Sequence, residues 1–263
     1  MIDVFLHIPK TGGTSLHRAL RLVYIGEKIY TSPPEIRNPE VIAEKVRMKS
    51  KVRLIRGHVD YGIHHYVSEP CRYFTVLRNP IKRIVSLFYD VKHWRNDTEV
   101  ASMQLGEYIE SNHPSYVQND QVKRLAGAGG QDCQADDELL ELAKNNLSRC
   151  ITAFGLTERY DESLIVLRRL LRWSRYPLYI RGKTNNHRPP LSALDSGILD
   201  VIHRQNRLDM LLYQFASDRF EEQLKAIGSI ESELDRFQKL NSIYGTAGRP
   251  LLKAYSKAKR IWL

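Results

Sequence analysis

The segment FLHIPKTGGTSL, Phe5 to Leu16, joins a buried strand to a helix through a loop shaped for a phosphate, and few folds accommodate such a junction. Asp3 to Ile8 is a short apolar run of strand length, and Leu16, Ala19, Leu20 and Val23 then recur at helical spacing. Gly12 and Gly13 let the backbone approach a ligand and adopt φ > 0. Thr14 and Ser15 add hydroxyls and N–H groups at a helix N-terminus, where the dipole favours anions. Lys10 brings a mobile positive charge to the mouth of the loop. This is not a Walker A motif, which needs GxxxxGK followed by Ser or Thr; here the lysine precedes the glycines.

The same strand-to-helix junction recurs downstream. Tyr73 to Leu77 reads as a strand and RNPIKRIVSLFYD as the helix after it, with Asn79 as N-cap and Pro80 in the first helical position. Ile84, Leu87, Phe88 and Val91 make one apolar face, and Arg83 and Ser86 lie off that stripe. Val52 to Ile55 is a third strand, stopping at Gly57 ahead of RGHVDYG. Cys150 to Phe154 is a fourth, followed by Gly155 and a helix through Leu164, Leu167 and Leu171. Strands alternating with helices predict a parallel sheet flanked by helices, an α/β domain. Lys10, His58 and Arg78 each follow a different strand, and open α/β sheets bind ligands outside the carboxyl edge of their strands. The stretch from Asn96 to Ser148 reads as an insertion of short helices and polar loops that could shape a second substrate's site. Helical patterning resumes at Ser192, and Leu208, Leu211, Leu212 and Phe215 mark a long amphipathic helix towards Ile227.

With 263 residues and 42% hydrophobic content, the chain supports one good-sized core rather than two full domains. Forty Lys and Arg against 30 Asp and Glu give a net charge of +10, which suits anionic ligands but equally serves solubility. A nucleic-acid partner is not expected, since no reader motif or interleaved aromatic and basic face occurs. Cys71, Cys133 and Cys150 form neither a disulfide framework nor a CxxC pair. The first strand begins at once, with no room for a signal peptide, and no apolar run approaches the ~18 residues of a membrane span.

PKTGGTS resembles the 5′-phosphosulfate loop of sulfotransferases that use 3′-phosphoadenosine 5′-phosphosulfate (PAPS). The likeness is greatest to the carbohydrate group containing the heparan sulfate and uronyl 2-O-sulfotransferases. Arg78 and Ser86 stand at the eight-residue separation this family uses for the nucleotide's 3′-phosphate, and RGHVDYG looks like the GHV segment that carries its catalytic histidine. Weaker similarity continues through FGLTERYDESL to the helix ending FEEQL, so the resemblance spans most of the chain.

The resemblance implies a sulfotransferase fold related in its loop architecture to P-loop kinases, and metal-free sulfuryl transfer from PAPS to a hydroxyl of a carbohydrate-like acceptor, anionic or neutral, releasing adenosine 3′,5′-bisphosphate. Lys10 would stabilise the leaving phosphate oxygen, and Thr11, Gly12, Gly13, Thr14 and Ser15 would surround the 5′-phosphate. Arg78 and Ser86 would take the 3′-phosphate, and His58 would be the general base. Asp60, His64, His65 and His93 compete for the base role. His58, His64 and His65 do not read as a metal set. RGKTNNHRPP resembles the family's basic loop over the nucleotide, making Lys183, His187 and Arg188 candidate donors. His7 stands where some heparan-type members carry arginine. Lys92, His93 and Arg95 are candidate acceptor contacts.

The animal 2-O enzymes are anchored in the Golgi membrane, so this chain is expected to be either a cytoplasmic, bacterial-type relative or one from which an anchor was removed, and the opening Met1 favours the first. The expected division is a sulfotransferase domain over 1–245 and a basic amphipathic tail over 246–263. Leu251, Leu252, Tyr255, Ala258 and Ile261 give that tail a face for packing or for peripheral membrane contact. The competing readings are a nucleotide-dependent small-molecule kinase, against which the missing GKS or GKT and the Arg78–Ser86 pair stand, and a non-catalytic nucleotide-binding scaffold.

Overall fold

The computed structural model of the chain describes residues 1–94, 97–111, 113–127, 133, 135–180 and 189–261. Five strands form one wholly parallel sheet: β1 (Ile2–Leu6), β2 (Lys28–Thr31), β3 (Val52–Gly57), β4 (Cys71–Leu77) and β5 (Ile151–Leu156), in the order β2-β3-β1-β4-β5. The α/β class and the parallel sheet expected from the sequence are therefore present. β1 runs at the centre with β3 and β4 on either side, and Leu6 pairs with Gly57 on one neighbour and Thr75 on the other. β1 and β3 thus end at the same level and β4 runs two residues further, so the loops that follow them emerge along one edge.

The sheet is buried on both faces, as a parallel sheet must be. Alternate residues of β1 point opposite ways: Val4 and Leu6 join a core completed by α2 (Pro39–Arg47), α6 (Asp120–Ala126), α7 (Asp136–Asn145) and α10 (Arg207–Ile227). Phe5 joins the opposite core, formed with α1 (Gly13–Val23), α8 (Tyr160–Leu170) and the start of α11 (Glu231–Ile261). A third cluster lies beyond the sheet, where α3 (Pro80–Trp94) meets α4 (Thr98–Ser102), α5 (Leu105–Glu110) and α9 (Ser196–Gln205). Among the described residues, the segment read as an insertion thus holds the short helices α4 to α7, which pack on α3 and on one sheet face.

Three details depart from the sequence reading. Gly155 lies inside β5 rather than after it, because a Cβ there would come within 2.4 Å of Ser163 on α8. Close helix-to-strand packing, not chain termination, selects that glycine. β2 is a four-residue edge strand too short to stand out by pattern. The third departure is Arg83, which lies off the apolar stripe of α3 yet is only 1% exposed.

Arg83 is buried because α6 and α10 bring carboxylates to it: Nη1 lies 3.4 Å from Asp120 and Nη2 3.6 Å from Asp209. Asp120 also accepts from Arg124 Nε at 3.0 Å, and Asp209 accepts from the Gln121 and Val122 amides. Burial alone pushes the Asp120 carboxyl up, but Arg124, Arg83 and Arg37 outweigh it and hold the group below the usual carboxylate range. For Asp209 burial prevails over Arg83 and the amides, and its value is raised. The position 245/246 falls within α11, which is continuous across it. Among the described residues no helix is long and apolar enough to cross a membrane.

Breaking a buried ion pair from one side leaves an uncompensated charge, so Arg83→Ala is expected to destabilise the fold by about 3–5 kcal/mol in urea unfolding. A loss below about 1 kcal/mol would mean that the two carboxylates do not depend on it.

Candidate active site

The loops after β1, β3 and β4 enclose a cleft of about 330 Å³ lined by residues that include Lys10, Gly12, Gly13, Thr14, Ser15, His58, Arg78 and Ser86. The positions singled out separately along the sequence therefore meet in one place. α1 points its N-terminus into this cleft with Gly12 as N-cap at φ 85°, with no side-chain cap and no acidic residue in its first turn. Its first-turn amides and dipole make this end receptive to an anion. The bare backbone is sterically required: a Cβ on Gly12 would lie 2.8 Å from the Tyr160 ring, and one on Gly13 would lie 1.7 Å from His7 Nε2. Tyr160 further donates to the Gly12 carbonyl at 3.1 Å. Thr11 differs from its neighbours. Its side chain is buried and its hydroxyl donates to the Ile8 carbonyl at 2.8 Å, so that hydroxyl shapes the loop instead of facing a ligand.

Lys10 adopts φ 68°, a left-handed conformation unusual for a residue with a side chain. Arg78 Nη1 donates to its carbonyl at 2.8 Å, which ties the loop after β1 to the loop after β4. Gln121 on α6 pinches the Arg78 backbone from the far side, accepting from its N–H and donating to its carbonyl, each at 3.0 Å. Asn79 Oδ1 accepts from the Lys82 amide at 3.1 Å, so it caps α3 as its sequence position predicts. Ser86 lies two turns along α3, on the side that faces the cleft.

Two carboxylates stand close to these cations. Asp90 lies on the cleft wall with Oδ1 2.8 Å from Lys10 Nζ. Glu158 Oε1 is 4.0 Å from Arg78 Nε, and its Oε2 accepts from the Asn79 amide and the Tyr213 hydroxyl. Neither acid was singled out from the sequence. For Asp90 a signal existed, because it follows Ser86 by four residues and must share its helix face. Glu158, Gln121 and Tyr160 come from distant segments and carried none.

His58 reaches the cleft from the end of β3, next to Gly57, whose φ of 146° and close approach to Ser32 exclude a side chain. Its ring is 4.8 Å from that of His7. The competing bases are engaged elsewhere. Asp60 pairs with Arg37 at 3.1 Å and Arg124 at 3.5 Å, His64 hydrogen-bonds the Tyr73 hydroxyl at 2.9 Å and stacks near His65, and His93 stacks on Tyr89. Burial raises the Asp60 carboxyl despite its two arginines. Lys92 donates to the Met103 carbonyl at 2.6 Å. Lys183, His187, Arg188 and Arg95 lie outside the described residues. Ser15 Oγ donates at 3.5 Å to the carbonyl of Ile180, so the chain leading to residues 181–188 does touch the phosphate loop.

Burial, and then Arg56, His58 and Arg21, push His17 down from its ordinary 6.5 to about 3. Burial, with His17, His58, Arg124 and Lys10, also holds its neighbour His7 well below the usual value. The unfolded chain therefore binds more protons below pH 6.5, so this contribution to stability is present above 6.5 and is lost as pH falls towards about 3. The melting temperature is expected to drop on acidification from pH 6.5 to 4, less steeply in His17→Gln. Parallel profiles for the two proteins would show that His17 titrates normally.

A family model described as Sulfotransferase family matches residues 4–216. Among curated relatives, heparan-sulfate 6-O-sulfotransferase 3 of mouse is 24% identical over 291 aligned residues, covering 89% of this chain and 61% of its own length. The human counterpart is likewise 24% identical, with 89% and 60% covered. The chain thus spans about three fifths of the length of these relatives. Among solved structures, mouse sulfotransferase SULT7A1 complexed with PAP aligns at 16% identity and a TM-score of 0.41, over 80% of this chain and 66% of that one. With four fifths of its length inside the family match, this chain belongs to the sulfotransferase family.

Proposed function

We propose that this chain transfers a sulfuryl group from PAPS to a hydroxyl of a carbohydrate-like acceptor. The observation that carries this reading is the cleft itself: a phosphate-type loop and helix start on one side, the Arg78–Ser86 pair on the other, and His58 between strand ends. The donor carries phosphates at both ends of its ribose, and these two sets of groups suit those two ends. The bare backbone of Gly12 and Gly13 lets Tyr160 and His7 pack against the loop, and the α1 N-terminus stands on the cleft wall with no side-chain cap. At about 330 Å³ the cleft falls in the ~300–1,000 Å³ range typical of small-molecule sites. The bound donor would supply an activated sulfur–oxygen bond.

In this reading His58 accepts the proton of the acceptor hydroxyl as its oxygen bonds to sulfur, and the bond from sulfur to the phosphate oxygen breaks. The departing electron pair stays on that phosphate oxygen, where Lys10 and the first-turn amides of α1 offset the charge. Positioning and electrostatics dominate, as in phosphoryl transfer. Asp90 holds Lys10 at 2.8 Å, so the donor must compete with a carboxylate for that ammonium. The names of the matched relatives support a carbohydrate acceptor, and the net charge of +10 suits an anionic one. Those relatives are 6-O enzymes, whereas the sequence motifs resemble the 2-O group, so the proposal is held at the level common to both: O-sulfation of a heparan-type sugar chain.

Adenosine 3′,5′-bisphosphate is expected to raise the melting temperature without metal, more than AMP or ATP with magnesium, because selective binding to the native state stabilises it. Arg78→Ala should reduce that discrimination by roughly 1.5–3 kcal/mol. Equal shifts with AMP would remove the 3′-phosphate assignment, and a preference for ATP with magnesium would favour a kinase.

His58→Ala is expected to lower turnover of labelled PAPS by on the order of 10²–10⁴ with nucleotide affinity nearly intact. Lys10→Ala should lose about 10²–10³ in turnover together with some nucleotide affinity. Near-normal turnover in His58→Ala, with Asp90→Asn inactive, would move the base to Asp90.

A further inference from the structure

Two histidines beside the cleft have no part in the chemistry so far. His7 follows β1 and lines the cleft, and His17 sits on α1 behind it. His17 Nε2 lies 3.2 Å from His7 Nδ1, which fixes which end of the His7 ring is occupied. The other end is placed by Gly13. A Cβ on that glycine would lie 1.7 Å from His7 Nε2, so this nitrogen fills the space beside the first helical residue of α1, and both residues line the cleft. Phe5 stacks on the His7 ring at 5.4 Å and contacts His17 at 5.5 Å, which holds both imidazoles in register.

Both imidazoles are kept neutral, His17 at about 3 and His7 well below its ordinary value. Arg56, Arg21, Arg124, Lys10 and His58 are the charged or titratable groups that face the pair and, with burial, impose this. Two neutral imidazoles meeting nitrogen to nitrogen share one proton, so the donor or acceptor role of His7 Nε2 is the complement of the role at Nδ1. An anionic group in the cleft favours the arrangement with the shared proton on His17 and the His7 proton on Nε2. A neutral His7 also lets His58, 4.8 Å away, gain a proton without a second cation beside it.

We propose that His7 is a further catalytic residue, donating a hydrogen bond from Nε2 to an oxygen of the sulfuryl group in transfer, and that His17 is the positioning residue that fixes its tautomer. His7 keeps its proton throughout; the acceptor proton still goes to His58. This inference rests on the sulfuryl-transfer reading of the same cleft.

The test compares His7→Phe, His17→Phe and His17→Gln for turnover of labelled PAPS with a heparan-type polysaccharide, and for the separate affinities of PAPS and adenosine 3′,5′-bisphosphate by calorimetry. Loss of one donor to the transferring group is expected to lower kcat about 10²–10³-fold in His7→Phe. The product nucleotide lacks the sulfuryl group, so its affinity should stay the same while the preference for PAPS over it shrinks about 3–10-fold, the scale of one neutral hydrogen bond. His17→Phe should lower kcat about tenfold, and His17→Gln, whose amide can serve His7 Nδ1, should recover most of it. Unchanged kcat and unchanged nucleotide preference in a folded His7→Phe would overturn the proposal. So would equal impairment of His17→Phe and His17→Gln at matched melting temperature, which leaves the pair a packing role and applies even if His7→Phe fails to fold. Failure of the wild-type protein to bind either nucleotide would instead overturn the sulfuryl-transfer reading.

Discussion

The shared carboxyl edge of three adjacent parallel strands sets everything else in this molecule. Because Leu6 pairs with both Gly57 and Thr75, the loops after β1, β3 and β4 leave the sheet side by side. Parallel strands need crossovers of a dozen or more residues, so groups that share this edge come from chain segments far apart. Lys10, His58 and Arg78 are therefore neighbours through the register of the ladder. The sheet's burial on both faces then fixes that register, since a one-residue slip would turn Phe5 and Leu6 to the wrong cores.

Near this edge lies a layer of buried and half-buried charge. Arg37, Asp60, Arg124, Asp120, Arg83 and Asp209 link the loop after β2, the loop after β3, α6, α3 and α10 in one chain of ion pairs. Such pairs add little net stability against apolar packing, but each member is costly to leave alone, so the network enforces one arrangement of these helices. The same α6 carries Gln121, whose paired hydrogen bonds hold the Arg78 backbone. The helix that brings a carboxylate to Arg83 thus also holds the backbone of the 3′-phosphate candidate.

Within the cleft, the cations meet carboxylates at its margin. Lys10 lies on Asp90, and Arg78 stands between the Lys10 carbonyl and Glu158. These acids are partly exposed, where screening weakens ion pairs, so a multiply charged phosphate held by several donors can compete with them. The histidine pair adds the opposite property: groups kept neutral among cations, able to hydrogen-bond without adding charge.

Much of this was legible in the chain. The strand-loop-helix junctions at Lys10 and Arg78 announce themselves because glycine, proline, asparagine and apolar periodicity act locally, within a dozen residues. Those same local signals correctly gave a parallel α/β sheet and the grouping of His58 with both loops. Signals failed where the cause was remote. Gly155 looked like a terminator because nothing nearby reveals Ser163 pressing on it, and the burial of Arg83, off the apolar stripe of its helix, was not foreseen because its partners Asp120 and Asp209 sit 37 residues or more away. The Thr11 hydroxyl passed for a ligand group until the loop closed it onto Ile8. Sequence determined which segments are strands and which loops can hold an anion, since those follow from backbone sterics and local pattern. Only the tertiary structure decided that His17 meets His7, that Asp90 meets Lys10 and that Gln121 grips Arg78, because such contacts depend on how the strands, loops and helices are set against one another by the burial of their apolar faces.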